Sequence, residues 1–364
     1  MTESPASIQW LDFEPGRRIL VISDIHGNLE YFKGVLELSG FSPEDELIID
    51  GDFLEKGNRC LDTLKYIMEL CKGGNVHVLR GNCDGWHSVL DHGREGDEHL
   101  LRYLRWRDKG FLCELFRNLG VDIMSVPSIS PYIPLLHAYD EQFDFLRSLP
   151  DAIDSENFAF VHAGRFPDKP LEMHFPGELN RIDRFMARGD VFRKWTVVGH
   201  YPVVLYGEDK VCANPIINRE QKIISIDGGC VLKDDGQLNA LIIPHKDSED
   251  FTFAAYDPFP ERRVLKSQAG SSRSYYIRWG DSDVQVLERG EEFSRCRHVR
   301  TGYEMDILTK YLFTSEEITG CNDCTDYVLP LRAGDTVRIV EETSRGYFVK
   351  HNGVSGWYYG ELEQ

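Results

Sequence analysis

Long apolar runs are missing from this 364-residue chain. None approaches the ~20 consecutive residues that span a bilayer, so a helical membrane protein is not expected. Basic residues are also in short supply, with 41 Lys and Arg against 60 Asp and Glu, for a net charge of -19. Sequence-independent nucleic-acid binding needs cations that displace counterions, and an anionic membrane surface makes the same demand, so neither partner is expected. No GxxxxGK[ST] loop is present, which argues against nucleotide-driven phosphotransfer, and no GxSxG elbow supplies a serine nucleophile. The nine cysteines are scattered and odd in number, which fits reduced thiols better than a disulfide framework. Residues 1–10 hold no basic stretch followed by an apolar run, so a cytoplasmic location is expected.

What the chain does have is a recurring unit: an apolar strand that ends in Asp, His or Asn beside glycine. Ile19-Leu20-Val21-Ile22 leads into Asp24-Ile25-His26-Gly27, with Asn28 placed to cap a helix carrying Leu29, Phe32 and Leu36 on one face. Leu47-Ile48-Ile49-Asp50 leads into Gly51-Asp52, with Glu55-Lys56-Gly57 closing the loop. Val76-His77-Val78-Leu79 leads into Gly81-Asn82-Cys83-Asp84. Later strands end in His162-Ala163-Gly164, Gly199-His200 and Asp227-Gly228-Gly229. A helical pattern spans 97–119, and its tryptophan and leucines read as core.

Open α/β folds place their chemistry at the carboxyl ends of strands. Asp, Asn and His together offer hard and borderline O/N donors, suited to Mn, Fe or Zn. A central carboxylate among them can bridge two ions about 3.5–4 Å apart, the arrangement of two-metal hydrolases acting on phosphoryl groups.

In their order, Asp24-Ile25-His26-Gly27, Gly51-Asp52 with Gly57, Gly81-Asn82, His162-Ala163-Gly164 and Gly199-His200 resemble the metallophosphoesterase superfamily, most closely its phosphoprotein phosphatase branch. That resemblance implies a calcineurin-like β-sandwich flanked by helices over residues 15–257. It implies two divalent metal ions, Mn foremost with Fe or Zn as alternatives. Asp24 and His26 would hold the first ion, Asp52 would bridge, and Asn82, His162 and His200 would hold the second. Asp227 would stand just behind them.

The chain departs from the branch at the proton donor. His-Glu usually follows Gly-Asn, and here Cys83-Asp84 stands there; Asp-Arg usually precedes the second glycine, and here it is Glu55-Lys56. Lys56 can hold a phosphate oxygen as a point charge without the arginine fork. Asp84 becomes a candidate acid, or the enzyme favours good leaving groups. A phosphate-gripping arginine is expected within Asn180–Phe185, with Arg184 favoured over Arg181.

Residues 258–306 read as a linker with a β extension, and 307–364 resemble a small all-β SH3-like barrel opening at Tyr311-Leu312-Phe313 and containing Gly356-Trp357. That barrel would dock a protein partner. Cys321-Asn322-Asp323-Cys324 is half of a zinc-site spacing, for which Cys296 and His298 are the remaining candidates. The reading is a metal-dependent Ser/Thr protein phosphatase acting on phosphorylated protein or a small phosphoester. The alternatives are a nucleotide or dinucleotide phosphohydrolase or phosphodiesterase, and a weakly catalytic module that binds phosphoproteins.

Overall fold

A computed structural model describes residues 4–92, 97–315 and 318–363 of the chain. It divides into two units: one of Met1–Pro202, Pro215–Leu232 and Gly236–Asp257, the other of Val203–Asn214, Lys233–Asp235 and Pro258–Gln364. No helix among the described residues is long and apolar enough to cross a membrane.

In the first unit, β1 (Ile8–Trp10) precedes β2 (Ile19–Ile22), whose four side chains are all fully buried. Each such burial stabilises by roughly 1.5–3 kcal/mol, so β2 anchors the unit. Then come α1 (Leu29–Ser39), β3 (Glu46–Asp50), α2 (Cys60–Cys71) and β4 (Val76–Leu79). Asn28 occupies the position before α1 but makes no side-chain cap bond; its carbonyl accepts the N–H of Phe32 at 3.1 Å. The 97–119 pattern is two helices, α3 (Asp97–Arg107) and α4 (Phe111–Asn118), parted where Asp108 and Gly110 take positive φ. Leu101 and Leu104 are buried as expected, whereas Trp106 is 71% exposed and is not core.

Next come α5 (Asp140–Ser148), β5 (Ala152–Asp154), β6 (Phe158–Phe160), β7 (Trp195–Val198), β8 (Ile216–Asn218), β9 (Ile223–Ser225), β10 (Leu238–Ile243) and β11 (Thr252–Tyr256). One sheet runs β11-β10-β2-β3-β4, parallel across β2, β3 and β4; the other runs β1-β5-β6-β7-β9-β8. Alternation along each strand sends Ile19, Val21 and Ile48 into the space shared with Phe160, Val197 and Ile224. The opposite faces of β2 and β3, with Leu20, Ile22, Leu47 and Ile49, pack under Phe32, Leu64 and Phe111 of the helices. Sheet on sheet, with helices outside, is the mixed α/β sandwich that the sequence implied.

The second unit has no closed barrel among its described residues. Its main sheet is open and five-stranded, running Glu261–Arg263, Thr336–Thr343, Gly346–His351, Val354–Tyr358 and the two-residue strand Val211–Cys212. The segment expected to open an SH3-like barrel pairs elsewhere, Leu312–Ser315 running antiparallel to Ile318–Cys321. Gly320 makes this possible, since a Cβ there would lie 2.9 Å from the Phe313 ring. A separate three-stranded meander joins Val284–Glu288, Phe293–His298 and Glu304–Leu308. The zinc half-site does not complete. The Sγ atoms of Cys321 and Cys324 lie 3.8 Å apart, but His298 is turned to the Asp281 carbonyl and the Thr301 hydroxyl.

Candidate metal centre

Three strand ends of the first unit, those of β2, β3 and β7, lead into loops whose backbones are held in left-handed conformations. Asp24, His26, Asp52 and His200 have φ of 55°, 49°, 51° and 65°, and Glu55, Lys56 and Arg184 are also positive. Such φ values cost non-glycine residues free energy, and they gather where the fold over-determines them. The over-determination is visible: Asp24 N–H donates to Gly51 O at 3.0 Å, and His26 N–H to Asp52 O at 2.9 Å. Glycine at 81 and 199 is a packing need, because a Cβ at Gly81 would collide with the Asp52 carboxylate and one at Gly199 with that of Asp24.

These loops bring all six residues expected from the resemblance together. Asp52 is 1% exposed; its Oδ1 lies 3.3 Å from His162 Nε2, and its Oδ2 lies 4.0 Å from His26 Nε2. Asp24 Oδ1 lies 3.6 Å from the same His26 nitrogen. Asn82 Oδ1 is 3.2 Å from His162 Nε2, and the rings of His162 and His200 meet edge to face at 5.2 Å. Backbone carbonyls fix two tautomers: His26 Nδ1 faces Leu54 O at 3.1 Å and His162 Nδ1 faces Asp50 O at 2.9 Å, leaving each Nε2 pointing inward. Cys83 joins them by donating its backbone N–H to Asp52 Oδ1 at 2.8 Å.

The electrostatics describe a crowded anionic pocket. Burial and the charge of Asp227 push the Asp24 carboxyl well up, and burial raises Asp227 to about 6. Asp52 moves the other way. Burial opposes ionisation, but the charge and hydrogen bond of His162 hold its carboxyl well below the usual range. His162 is correspondingly raised to about 10, its burial outweighed by Asp52. Burial lowers His26 to about 3, with Lys56 adding to the effect, and lowers His200 to about 4, with His162 adding.

The residues present fit divalent cations. Ligand atoms of Asp52, His162 and His200, and of His26, Asp52 and Cys83, converge within 4.8 Å. Asp24 Oδ1 and Asp227 Oδ2 are buried with no hydrogen-bond partner. Buried carboxylate oxygens without donors are costly unless a cation meets them. Apart from the Cys83 sulfur, the donors are oxygen and imidazole nitrogen, the choice of borderline and hard ions.

The remaining expected residues fall into two groups. Lys56 is at the site, its Nζ 3.1 Å from His26 Nε2. Arg184 and Arg181 are exposed and make no ion pair among the described residues, whereas Asp183 between them lies 3.1 Å from His200 Nε2. Asp84, the candidate acid, is fully buried and occupied by backbone donors: Oδ2 accepts from Asp52 at 2.7 Å and Gly81 at 2.8 Å, and Oδ1 from Leu54 at 3.1 Å. Burial and the Asp52 charge raise it to about 7. In this position it braces two loops. Glu55 turns away from the centre, its oxygens accepting the Tyr103 hydroxyl and the Phe111 N–H, both at 2.9 Å.

Sequence reasoning passed over three features. Asp50 is fully buried with both carboxylate oxygens unpartnered, one position before Gly51. Its only signal was an acid at the inward-facing end of an apolar strand. Asp183 was hidden between the two arginines, and Tyr103 lies 48 residues from Glu55.

A family model described as calcineurin-like phosphoesterase matches residues 17–226. The chain is similar to a symmetrical bis(5'-nucleosyl)-tetraphosphatase of Chromobacterium violaceum, 26% identical over 191 residues, which are 49% of this chain and 58% of the relative. A symmetrical bis(5'-nucleosyl)-tetraphosphatase of a Marinomonas species is 32% identical over 129 residues, 34% of this chain and 40% of the relative. The chain thus spans less than two thirds of either relative. Among solved structures it is similar to a metallophosphoesterase from Sphaerobacter thermophilus, with 19% identity and a TM-score of 0.37 over 66% of this chain and 88% of that one.

Proposed function

Since the chain belongs to the calcineurin-like phosphoesterase family, whose members use divalent metal ions, we propose that it hydrolyses phosphoanhydride-linked nucleotides, with dinucleotide polyphosphates as the substrate class. The observation that carries the reading is that the histidine which the phosphoprotein phosphatase branch uses to protonate an alkyl leaving group is replaced here. Cys83 stands in that place, and Glu55, at the position of the acid that would orient such a histidine, is committed to Tyr103 and Phe111. Departure of a serine alkoxide calls for a positioned acid, which typically contributes ~10²–10⁴-fold. A nucleoside phosphate leaves as a stabilised anion and needs little such help. The two curated relatives, both named as symmetrical bis(5'-nucleosyl)-tetraphosphatases, support the same substrate class.

In this account Asp24, His26, Asp52, Asn82, His162 and His200 hold two divalent ions, Mn in the first instance. Bound there, such ions supply Lewis acidity toward water and a phosphoryl oxygen. The protein's own groups do the rest. Lys56 presents a cation to a phosphate oxygen, and Arg184 reaches for a second from the segment beside His200. Asp227 keeps negative charge behind Asp24, and the carbonyls of Leu54 and Asp50 hold the imidazoles of His26 and His162 in one tautomer.

The test is a comparison of kcat/KM for a diadenosine tetraphosphate, an aryl diester and a phosphoserine peptide with the Mn-loaded protein, with products resolved by chromatography. The tetraphosphate should exceed the peptide at least ten-fold and release two molecules of nucleoside diphosphate. A peptide turned over as fast as the tetraphosphate would favour the protein phosphatase reading instead.

A further inference from the structure

Three aromatic side chains form a ladder beside the candidate centre. The rings of Trp86 and Tyr103 have centroids 5.9 Å apart at 39°, and those of Tyr103 and Trp106 lie 6.2 Å apart at 54°. The guanidinium of Arg107 lies over the end ring Trp106 and the middle ring Tyr103, 4.5 Å and 5.9 Å from their centroids. We propose that this ladder with Arg107 is a nucleotide subsite, in which a nucleobase stacks on Trp106 and the guanidinium meets the adjoining phosphate. The inference rests on the hydrolase reading above and names the residues that would make the site prefer nucleotides.

Position is the first argument. Trp86 follows Cys83 by three residues, and Cys83 N–H donates to Asp52 Oδ1, so three residues of chain, at most about 11 Å, separate ladder from centre. The second tie is the Tyr103 hydroxyl, which donates to Glu55, the immediate neighbour of Lys56. The loops that carry the centre therefore also carry the ladder.

Chemistry is the second argument. Trp106 is 71% exposed at the last turn of α3, where neighbouring Arg105, Arg107 and Asp108 are polar. A large ring left facing solvent beside a catalytic pocket is a stacking platform, and every nucleobase offers a π face to it. Arg107 makes no ion pair among the described residues, and its Nε is buried without a hydrogen-bond partner, as is Nε1 of Trp86. The carboxylate that faces Arg107, Glu55, already accepts two hydrogen bonds. The guanidinium, which already meets the Tyr103 hydroxyl and makes no ion pair among the described residues, offers its remaining N–H groups to an anionic polyphosphate, and a peptide phosphoester has no base to stack.

The experiment measures ADP binding to the Mn-loaded full-length chain by calorimetry, together with the ratio of kcat/KM for diadenosine tetraphosphate to that for an aryl phosphate. Base stacking is worth about 1–3 kcal/mol by alanine substitution, roughly 5- to 150-fold. Trp106→Ala should weaken ADP and lower that ratio by about ten-fold or more, Trp106→Phe should restore most of it, and Arg107→Gln should act in the same direction. Unchanged ADP affinity in all three variants, each verified as folded by circular dichroism, overturns the subsite. If wild type fails to cleave tetraphosphates but still binds ADP in a Trp106-dependent way, the hydrolase reading falls and the subsite stands.

Discussion

Asp84 accepts the backbone N–H of Asp52 at 2.7 Å, so the residue expected to donate protons to a substrate instead holds the proposed bridging carboxylate in its loop. The same side chain takes N–H groups from Gly81 and Leu54, tying the Gly-Asn turn to the Asp52 turn.

Replacing Asp84 by Asn puts an amide N–H against a backbone donor in a fully buried place. Each unsatisfied group there costs about 1–3 kcal/mol, so Asp84→Asn should lower Tm and weaken metal affinity. The shape of the pH–rate profile should stay as it is. A general acid acts protonated, so its loss would abolish the fall in rate at high pH; that result at unchanged Tm would return Asp84 to the acid role.

Cys83 offers a complementary test. Introducing the histidine found in the phosphoprotein phosphatase branch, Cys83→His, should raise turnover of phosphoserine peptides by up to ~10²-fold and leave tetraphosphate turnover within a few-fold. Steady-state rates on both substrates decide it. Equal responses would mean that residue 83 does not govern leaving-group preference.

His174 provides a pH-dependent probe of stability away from the centre. It is fully buried, its Nε2 accepting Phe166 N–H at 3.0 Å and its Nδ1 facing Pro170 O at 2.9 Å, a neutral ring with both nitrogens used. Burial, aided by Lys169, lowers its pKa below the ordinary 6.5. The unfolded chain therefore takes the proton more readily, and stability is fully present above about pH 6.5 and lost as pH falls through the folded value. Melting curves of wild type should decline more steeply below pH 6.5 than those of His174→Gln. Parallel declines would show that His174 is not linked to folding.

The six candidate ligands were legible because each ends an apolar strand beside glycine, a local pattern that needs no knowledge of distant contacts. The strands β2, β3 and β4 were legible for the same reason; that they pair in parallel was not. What the sequence hid was long-range. Nothing near Glu55 announces Tyr103, and nothing near Asp84 announces three backbone donors. Trp106 reads as core along with Leu101 and Leu104, yet offsets of two and five residues put it off their helical face, and the ring is exposed. The SH3-like resemblance followed turn and aromatic residues that hairpins of many sheets share, and Phe313 found its partner at Gly320. Residues 203–214 and 233–235 belong with the second unit, through pairings such as Val211 with Ser355 that no local pattern marks.

The most direct measurement of the central claim is metal content against hydrolysis in wild type and Asp52→Asn. Wild type, stripped with a chelator and titrated with Mn, should recover tetraphosphate cleavage in proportion to ions bound and saturate near two per chain. Asp52→Asn should keep the far-ultraviolet circular dichroism of wild type, bind fewer ions and lose at least ~10³-fold in kcat, because the carboxylate that would face both ions is gone. Full occupancy and full activity in Asp52→Asn, or undiminished cleavage by the stripped wild type, would contradict the account.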